Sequence, residues 1–213
     1  MTERGKYIVI EGHDGTGKST QVEMLRDYLI NEHSIESEEI HEPAGVPIAN
    51  ELREIIKNGE LDRDAITNLL LFTAARREIY RQKIVPSLAR GAFILSARNW
   101  ISAVAYQGYG EGIEPAYIKN ITEEFTSPEY MNPDLTIVLD LKDESERSRR
   151  ISERGELENP DTFESRGDNF QSRVKQGYIE VARESNFTII DAGQEPKAVH
   201  QQIVQNLSEL IEP

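Results

Sequence analysis

The chain has 213 residues, with 24 Lys and Arg against 38 Asp and Glu, and a formal net charge of −14 at pH 7. This length can bury the core of an α/β domain, and we expect one domain over 1–213. The negative charge argues against nucleic acid as a main partner. The absence of cysteine excludes disulfides, thiolate metal sites and a cysteine nucleophile.

The sequence also lacks the patterns of export and membrane insertion. The polar N-terminal segment has no signal peptide pattern, and no apolar run approaches the length of a membrane span. We therefore expect a soluble cytoplasmic protein with no membrane partner. The four histidines show no ligand spacing, which predicts no protein-bound transition metal.

The first predicted strand and helix flank a glycine loop. The apolar run 7–11 predicts a buried strand, and Val22, Leu25 and Leu29 lie on one face of the helix that follows. Between them, 12–19 reads Gly-His-Asp-Gly-Thr-Gly-Lys-Ser and fits G-x-x-x-x-G-K-[ST] at every required position. Such a loop turns its N–H groups towards phosphate oxygens at a helix N-terminus. The motif predicts a site for a nucleoside triphosphate.

Two side chains of this loop have specific expected contacts. We expect Lys18 to reach the β- and γ-phosphates of the nucleoside triphosphate, and the Ser19 hydroxyl to enter the Mg²⁺ shell. The remaining loop positions contribute mainly backbone. The predicted nucleotide-binding residues of this segment are Gly12, His13, Asp14, Gly15, Thr16, Gly17, Lys18, Ser19 and Thr20.

Strands and helices alternate along the rest of the chain. Asp62 is the predicted N-cap of a long helix over 62–89, with an apolar stripe of Ile66, Leu69, Leu70 and Ile79. This alternation predicts a doubly wound, five-stranded parallel sheet with helices on both faces and ligands at the carboxyl ends of the strands. The further predicted strands are 37–41, 92–96, 135–140 and 187–191, and the further helices 48–57 and 196–210.

One segment, about 146–173, concentrates arginine in an acidic protein. Gly155, Pro160 and Gly167 interrupt its helical pattern. It is either a solvated helix with weak surface ion pairs or a lid that closes arginines over phosphates. Beside a phosphate loop, we favour the lid. The arginines are Arg147, Arg149, Arg150, Arg154, Arg166 and Arg173.

The motifs, taken in order, resemble the thymidylate kinases (dTMP kinases) of the P-loop nucleoside monophosphate kinase group. The resemblance covers nearly the whole chain, and Gly15, where some members have arginine, indicates the bacterial type with lid arginines. It is carried by the glycine loop with its strand, Glu42-Pro43-x-Gly45, Leu71-Phe72-Thr73-Ala74-Ala75-Arg76, Arg98, Ala105-Tyr106-Gln107-Gly108, Pro133-Asp134-Leu135-Thr136, Arg154-Gly155-Glu156 and Asp191-Ala192.

The resemblance implies an activity and its cofactors. ATP would phosphorylate dTMP to dTDP, for dTTP synthesis, by in-line transfer with Mg²⁺ and no covalent intermediate. Members are usually homodimers, with 62–89 and the helix after the third strand as candidate interfaces. Two alternatives stay open. One is a kinase for another deoxynucleotide or a deoxynucleoside; the other is a catalytically weakened nucleotide-binding regulator.

The resemblance also implies an acceptor site. Phe72 would stack on thymine and Arg76, one helical turn on, would bond a base carbonyl. Tyr106 would pack under the sugar and select deoxyribose. Asp14 would accept a hydrogen bond from the 3′-hydroxyl, and Gln107 would contact the base or a neighbouring loop.

Further positions would act on the phosphates and on adenine. Arg98 and Arg53 are candidates for the acceptor phosphate. Arg150 and Arg154 of the lid are candidates for charge on the transferred phosphoryl group. The loop at Ala192 would hold adenine, chiefly through its backbone.

Three positions depart from the family pattern. Ala97 stands where an aspartate normally ends the third strand, and we expect Glu42 to serve as an outer-shell carboxylate in its place. His41 replaces an arginine before Glu-Pro, and Thr162 replaces a lid arginine for which Arg166 would compensate.

Overall fold

Five parallel strands form the centre of the computed structural model, which describes residues 3–153, 163 and 166–211. The strand order is β2-β3-β1-β4-β5, with register partners such as Ile8 with Leu95 and Ile137 with Thr188. The predicted doubly wound sheet is confirmed. The strands are β1 Tyr7–Gly12, β2 Ser37–His41, β3 Phe93–Ala97, β4 Leu135–Asp140 and β5 Thr188–Asp191.

Helices cover both faces of the sheet. Two π-helical segments, Tyr80–Ile84 and Val104–Gly110, continue α3 and α5. In the described ranges the α-helices are α1 Lys18–His33, α2 Pro47–Lys57, α3 Ala65–Ile79, α4 Val85–Ala89, α5 Trp100–Ala103, α6 Pro115–Phe125, α7 Pro128–Met131, α8 Glu144–Ser152, α9 Asp168–Glu184 and α10 Pro196–Ile211.

Successive side chains of the three central strands, β3, β1 and β4, lie alternately in two separate cores. Tyr7 and Val9 of β1 enter the core under α3 and α9, whereas Ile8 and Ile10 enter the core under α1 and α10. This alternation follows from the two-residue period of a strand. Because both faces of the sheet are covered at its centre, β3, β1 and β4 are mostly apolar runs, whereas the edge strand β2 is mostly polar.

The predicted N-cap of the helix over 62–89 is wrong, and the middle of this helix is π-helical over Tyr80–Ile84. Asp64, not Asp62, is the N-cap, and its side chain accepts from Thr67 N at 2.7 Å. Asp62 and Asp64 are only two residues apart and have the same side chain, so the residue type does not decide which of them caps the helix. The predicted apolar stripe is also partly wrong, since Ile66 and Leu70 are 42% and 49% exposed while Leu69 and Ile79 are buried.

The arginine segment begins and ends as helix. Arg147, Arg149 and Arg150 lie on α8, and Arg173 lies on α9. Between these helices the described residues are Glu153, Phe163, Arg166 and Gly167, so the predicted sites at Arg154 and Thr162 lie outside the described residues. Across the described ranges, no helix is both long enough and apolar enough to cross a membrane.

Candidate active site

The loop after β1 closes around the end of the Lys18 side chain. Gly12, Gly15 and Gly17 have positive φ angles of 142°, 86° and 91°, which residues with a Cβ rarely adopt. Lys18 Nζ donates to the carbonyl oxygens of Gly12 at 2.7 Å and His13 at 2.9 Å. Helix α1 begins without a side-chain cap at Gly17, and the N-terminus of a helix favours an anion. The loop has the form that phosphate binding requires.

Gly15 lies against α8, which gives a test of the loop. A Cβ on Gly15 would be 2.9 Å from Arg147 Cγ and 3.2 Å from its carbonyl oxygen. Left-handed backbone strain of about 1–2 kcal/mol adds to this crowding, so we expect Gly15→Ala to raise the KM for ATP about tenfold. Gly112→Ala is the matched control, since Gly112 has φ 87° and a Cβ there would meet no atom within 4 Å. Equal KM values for ATP in the two variants would contradict this expectation.

His13 joins the glycine loop to α9. Its side chain is buried, and Nε2 lies 2.8 Å from Gln171 Oε1. Burial lowers the pKa of His13 to about 4, although Asp14 and the hydrogen bond to Gln171 oppose the shift. The folded protein therefore holds this imidazole neutral at neutral pH.

The low pKa of His13 predicts acid sensitivity of the fold. The unfolded chain takes up this proton at a pKa of about 6.5, whereas the folded chain resists protonation down to about 4. The stabilisation is complete above about pH 6.5, and up to about 3 kcal/mol is lost as the pH falls through this window. Urea unfolding should show that His13→Gln removes this part of the pH dependence and that His33→Gln, at an exposed histidine, retains it. The same pH slope in both variants would refute the assignment.

A cavity of about 240 Å³ opens at the carboxyl ends of β1, β2 and β3. Every residue predicted to bind the acceptor lines it, together with Lys18 and Ser19 of the glycine loop. The phosphate loop and the predicted base site therefore share one cavity. The lining residues are Asp14, Lys18, Ser19, His41, Glu42, Pro43, Arg53, Phe72, Arg76, Ala97, Arg98, Ser102, Ala103, Tyr106, Gln107 and Phe163.

Asp14 is the negative centre of this cavity. Its carboxylate pairs with Arg98, accepts from the Tyr106 hydroxyl at 2.5 Å and lies 3.9 Å from Lys18 Nζ. Burial raises the pKa of Asp14, but Arg98, Lys18 and Tyr106 outweigh burial and hold that pKa well below its usual range. Asp14 is therefore an ionised hydrogen-bond acceptor throughout the working pH range.

Arg98 is held from several elements. Its backbone has φ 78°, and Nη1 donates to Ser102 Oγ at 3.1 Å and to the Tyr178 hydroxyl at 2.7 Å. The buried Glu11 carboxylate accepts from Asn99 N at 2.7 Å and from Ser102 N at 3.0 Å, which fixes the turn after Arg98. The guanidinium is thus pre-oriented at the end of β3, beside Asp14.

Arg76 and Gln107 bring hydrogen-bond donors to the end of the cavity away from the glycine loop. Arg76 Nε donates to Glu42 Oε2 at 3.0 Å and Nη2 donates to the carbonyl of Asn99 at 3.2 Å. Within the described part of the chain, Arg76 Nη1 and Gln107 Nε2 are buried without a hydrogen-bond partner. Buried donors are rarely left unsatisfied. A ligand with carbonyl groups would satisfy them.

The aromatic wall of the cavity contains a residue that the motifs did not indicate. Phe163 is buried, and its ring centroid lies 5.7 Å from that of Phe72 and 5.9 Å from that of Tyr106. Arg166 stacks over Phe163 at 4.7 Å and pairs with Glu111 at 2.9 Å. The arginine segment therefore contributes an aromatic side chain to the acceptor cavity.

Arg150, which is predicted to place charge on the transferred phosphoryl group, contacts α8 and the loop after β5, and its role at that group stays a prediction. Arg150 Nη1 donates to the carbonyl of Ala192 at 3.0 Å, and Nε donates to Glu146 at 2.7 Å. Arg150 is not among the residues that line the cavity. The structure instead brings Arg150 to the predicted adenine loop.

Two departures from the family pattern lie side by side. His41 and Ala97 are register partners in β2 and β3, and both line the cavity. Ala97 supplies no polar side-chain atom. Glu42 lines the same cavity, but Arg76 bonds one of its carboxylate oxygens and Tyr130 the other. Its outer-shell role toward Mg²⁺ stays a prediction.

The donor set fits a magnesium ion that is held mainly by its nucleotide. In the described ranges, no group of three or more His, Cys, Asp or Glu side chains could hold a metal by itself. Mg²⁺ usually keeps several waters and takes one or two protein oxygens with substrate phosphates. Ser19 lines the cavity together with Lys18, and its hydroxyl is an oxygen of the kind that would take one place around the ion.

Besides Phe163, four residues that hold the site together were missed from the sequence. Ser102 lies four positions after Arg98, a helical spacing that offers a weak signal. Glu11 precedes the glycine loop and reads as part of a buried strand. Tyr178 and Tyr130 reach the site across 80 and 88 residues of sequence, and no local pattern announces such contacts.

Known proteins match this chain over nearly its full length. The family model described as thymidylate kinase matches residues 10–203. A thymidylate kinase from Chlorobium limicola is 34% identical over 209 residues, which are 95% of this chain and 94% of that protein. One from Prosthecochloris aestuarii is 37% identical over 208 residues, 94% of this chain and 92% of that protein.

A solved structure agrees with these matches. The crystal structure of thymidylate kinase from Ehrlichia chaffeensis aligns with a TM-score of 0.76 and 26% sequence identity, covering 96% of this chain and 99% of that one. The glycine loop, the cavity and the full-length similarity agree with one another. The chain therefore belongs to the thymidylate kinase family.

Proposed function

We propose that this protein transfers the γ-phosphoryl group of ATP to the phosphate of dTMP, releasing ADP and dTDP. One observation carries the assignment of the site: a single cavity is lined by Lys18 of the phosphate loop and by Phe72 and Arg76. A donor phosphate and an acceptor base can therefore be held in one space. Phosphoryl transfer depends mainly on such alignment and on stabilising charge.

Positive side chains serve the reacting phosphates. Lys18 contacts the β- and γ-phosphate oxygens, while Arg98 and Arg53 bind the acceptor phosphate. The contacts that Asp14, Ser102 and Tyr178 make with Arg98 support this role, because they hold the guanidinium before substrate arrives. Ser19 donates an oxygen to Mg²⁺, which neutralises charge on the transferred group when bound.

The sugar and the base of dTMP are recognised by different residues of the cavity. Asp14, held ionised, accepts a hydrogen bond from the 3′-hydroxyl of the sugar, and the Tyr106 ring packs beside it. Phe72 stacks on thymine, and Arg76 Nη1 donates to a base carbonyl. The buried position of Nη1 without a partner among the described residues supports this pairing. Gln107 adds a polar contact.

The adenine of ATP is placed at the loop that follows β5. The backbone around Ala192 holds the base, and the bond from Arg150 to the Ala192 carbonyl supports a role for Arg150 there. Arg154 of the arginine segment places its positive charge on the transferred phosphoryl group.

Coupled ADP release tests the function. ATP and Mg²⁺ are supplied with dTMP, dUMP, dCMP, ribose TMP or thymidine in separate reactions. Turnover should be strong with dTMP and weak with the others. Turnover with another acceptor would overturn the base assignment, and dTMP binding without turnover would indicate a regulatory protein.

We further propose a single domain over 1–213 that acts in the cytoplasm as a homodimer. Support for the dimer comes from exposed apolar side chains on two neighbouring helices. Ile48 and Ile55 of α2 are 46% and 41% exposed, and Ile66 and Leu70 of α3 are 42% and 49% exposed. Sedimentation equilibrium should give twice the chain mass, and the monomer mass would refute the dimer.

A further inference from the structure

A buried hydrogen-bonded chain leads away from the base site. The Tyr130 hydroxyl donates to Glu42 Oε1 at 2.6 Å, and Arg76 Nε donates to Glu42 Oε2 at 3.0 Å. Tyr130, Glu42 and Arg76 are 0%, 6% and 3% exposed. Both carboxylate oxygens are engaged, so neither the carboxylate nor the guanidinium can rotate without breaking a buried bond.

The hydrogen bonds to Glu42 and Asn99 determine which edge of the Arg76 guanidinium faces a ligand. Glu42 takes Nε and the carbonyl of Asn99 takes Nη2, at 3.2 Å. Nη1 is the remaining terminal nitrogen, buried without a partner among the described residues. The orientation of the free donor therefore depends on Glu42.

Tyr130 itself lies outside the cavity. It belongs to α7, where its backbone N–H bonds the Ser127 cap at 3.1 Å. Its ring lies 5.9 Å from that of Tyr7 and 5.8 Å from that of Tyr80. Tyr130 does not line the cavity, so it acts on an acceptor through its neighbours there: Glu42, by the hydrogen bond, and the adjacent Arg76 guanidinium.

We propose that Tyr130 is a positioning residue for acceptor recognition, whose hydroxyl fixes Glu42 and, through it, the base-binding edge of Arg76. The proposal rests on the proposed function of the cavity as the dTMP site. It assigns to Glu42 a structural task at the base end. It also assigns to α7 a part in specificity that no sequence motif indicates.

The hydrogen-bonded chain of Tyr130, Glu42 and Arg76, called the relay below, makes activity depend on the protonation of Glu42 and therefore on pH. Burial raises the pKa of Glu42, while Arg76 and the Tyr130 hydrogen bond lower it, and Glu11 of β1 raises it further. Tyr7 of β1 also faces the carboxylate. Loss of the Tyr130 hydroxyl removes a group that favours the ionised form. Since protonated Glu42 no longer pairs with Arg76, activity would then be lost at a higher pH than in the wild type.

Tyr130→Phe tests the relay, with Tyr80→Phe as the matched control on the adjacent ring. The KM for dTMP should rise about tenfold in Tyr130→Phe, as expected for a bond to a charged group. Its kcat and KM for ATP should stay within about twofold. The acid limb of kcat/KM for dTMP should move to higher pH. Tyr80→Phe should match the wild type in all four measurements.

Glu42→Gln provides a second route if Tyr130→Phe folds poorly. It should raise the KM for dTMP and remove the acid limb that depends on Glu42. Tyr130→Phe should then raise the KM for dTMP less in the Glu42→Gln background than in the wild type, because its hydrogen bond is made to that carboxylate. Additive effects on the KM for dTMP would overturn the relay.

The failure of the relay and the failure of the function are distinguishable. Wild-type turnover of dTMP with an unchanged KM and acid limb in Tyr130→Phe would refute the relay alone. Equal losses in kcat and in both KM values would also refute it, because they indicate general damage to the fold. Absence of wild-type turnover with dTMP would refute the proposed function and the relay together.

Discussion

Lys18→Met is expected to lower kcat about a thousandfold. Methionine keeps much of the length of the side chain and removes the charge that we place on the β- and γ-phosphates. The Lys18 ammonium is pre-positioned by the carbonyl oxygens of Gly12 and His13, so its stabilisation of developing charge requires no reorganisation. Steady-state ADP release with saturating ATP and dTMP measures the loss.

Lys197→Met is the control for Lys18→Met, because Lys197 is an exposed lysine of α10. It should retain wild-type kcat. Thermal unfolding of both variants should remain cooperative. A kcat for Lys18→Met within about tenfold of the wild type would contradict the assigned role of Lys18.

Arg98→Gln is expected to lower kcat/KM for dTMP by about 10²–10³. Glutamine lacks the charge for the acceptor phosphate and leaves the Asp14 carboxylate without its ion-pair partner. Because the Arg98 guanidinium helps to hold the pKa of Asp14 low, its removal also weakens the ionised state of Asp14. The KM for ATP should change less than the KM for dTMP.

Arg183→Gln separates this effect from a general loss of positive charge. Arg183 lies on α9 with a side chain that is 67% exposed, and surface ion pairs contribute little. Its kinetics should match the wild type. An Arg98→Gln variant with kcat/KM for dTMP close to that of Arg183→Gln would remove Arg98 from the mechanism.

The order of the elements was predictable because its signals are local. Central strands of a parallel sheet are mostly apolar, and β4 has the predicted bounds while β3 begins one residue later than predicted. The edge strands also follow the prediction: β2, which is mostly polar, has the predicted bounds, and β5 begins one residue later. The start of α3 was not predictable in the same way. Asp62 and Asp64 are both suitable caps, and only the folded backbone brings Asp64 to Thr67 N.

The residues of the site also differ in whether the sequence could predict their contacts. Asp14, Glu42 and Arg98 follow the carboxyl ends of β1, β2 and β3, which meet at one edge of the sheet, so their convergence follows from topology. The contacts of Tyr130 and Tyr178 depend on how α7 and α9 pack. Packing of this kind is a tertiary property, and a periodic apolar pattern does not encode which hydroxyl meets which carboxylate.

A crystal structure with dTMP bound tests the assignment of the acceptor site most directly, because it shows where the base and the phosphate lie. We predict thymine stacked on Phe72, a base carbonyl within hydrogen-bond distance of Arg76 Nη1, and the phosphate on Arg98. A base that lies outside this cavity, or a phosphate that contacts neither Arg98 nor Arg53, would contradict the assignment.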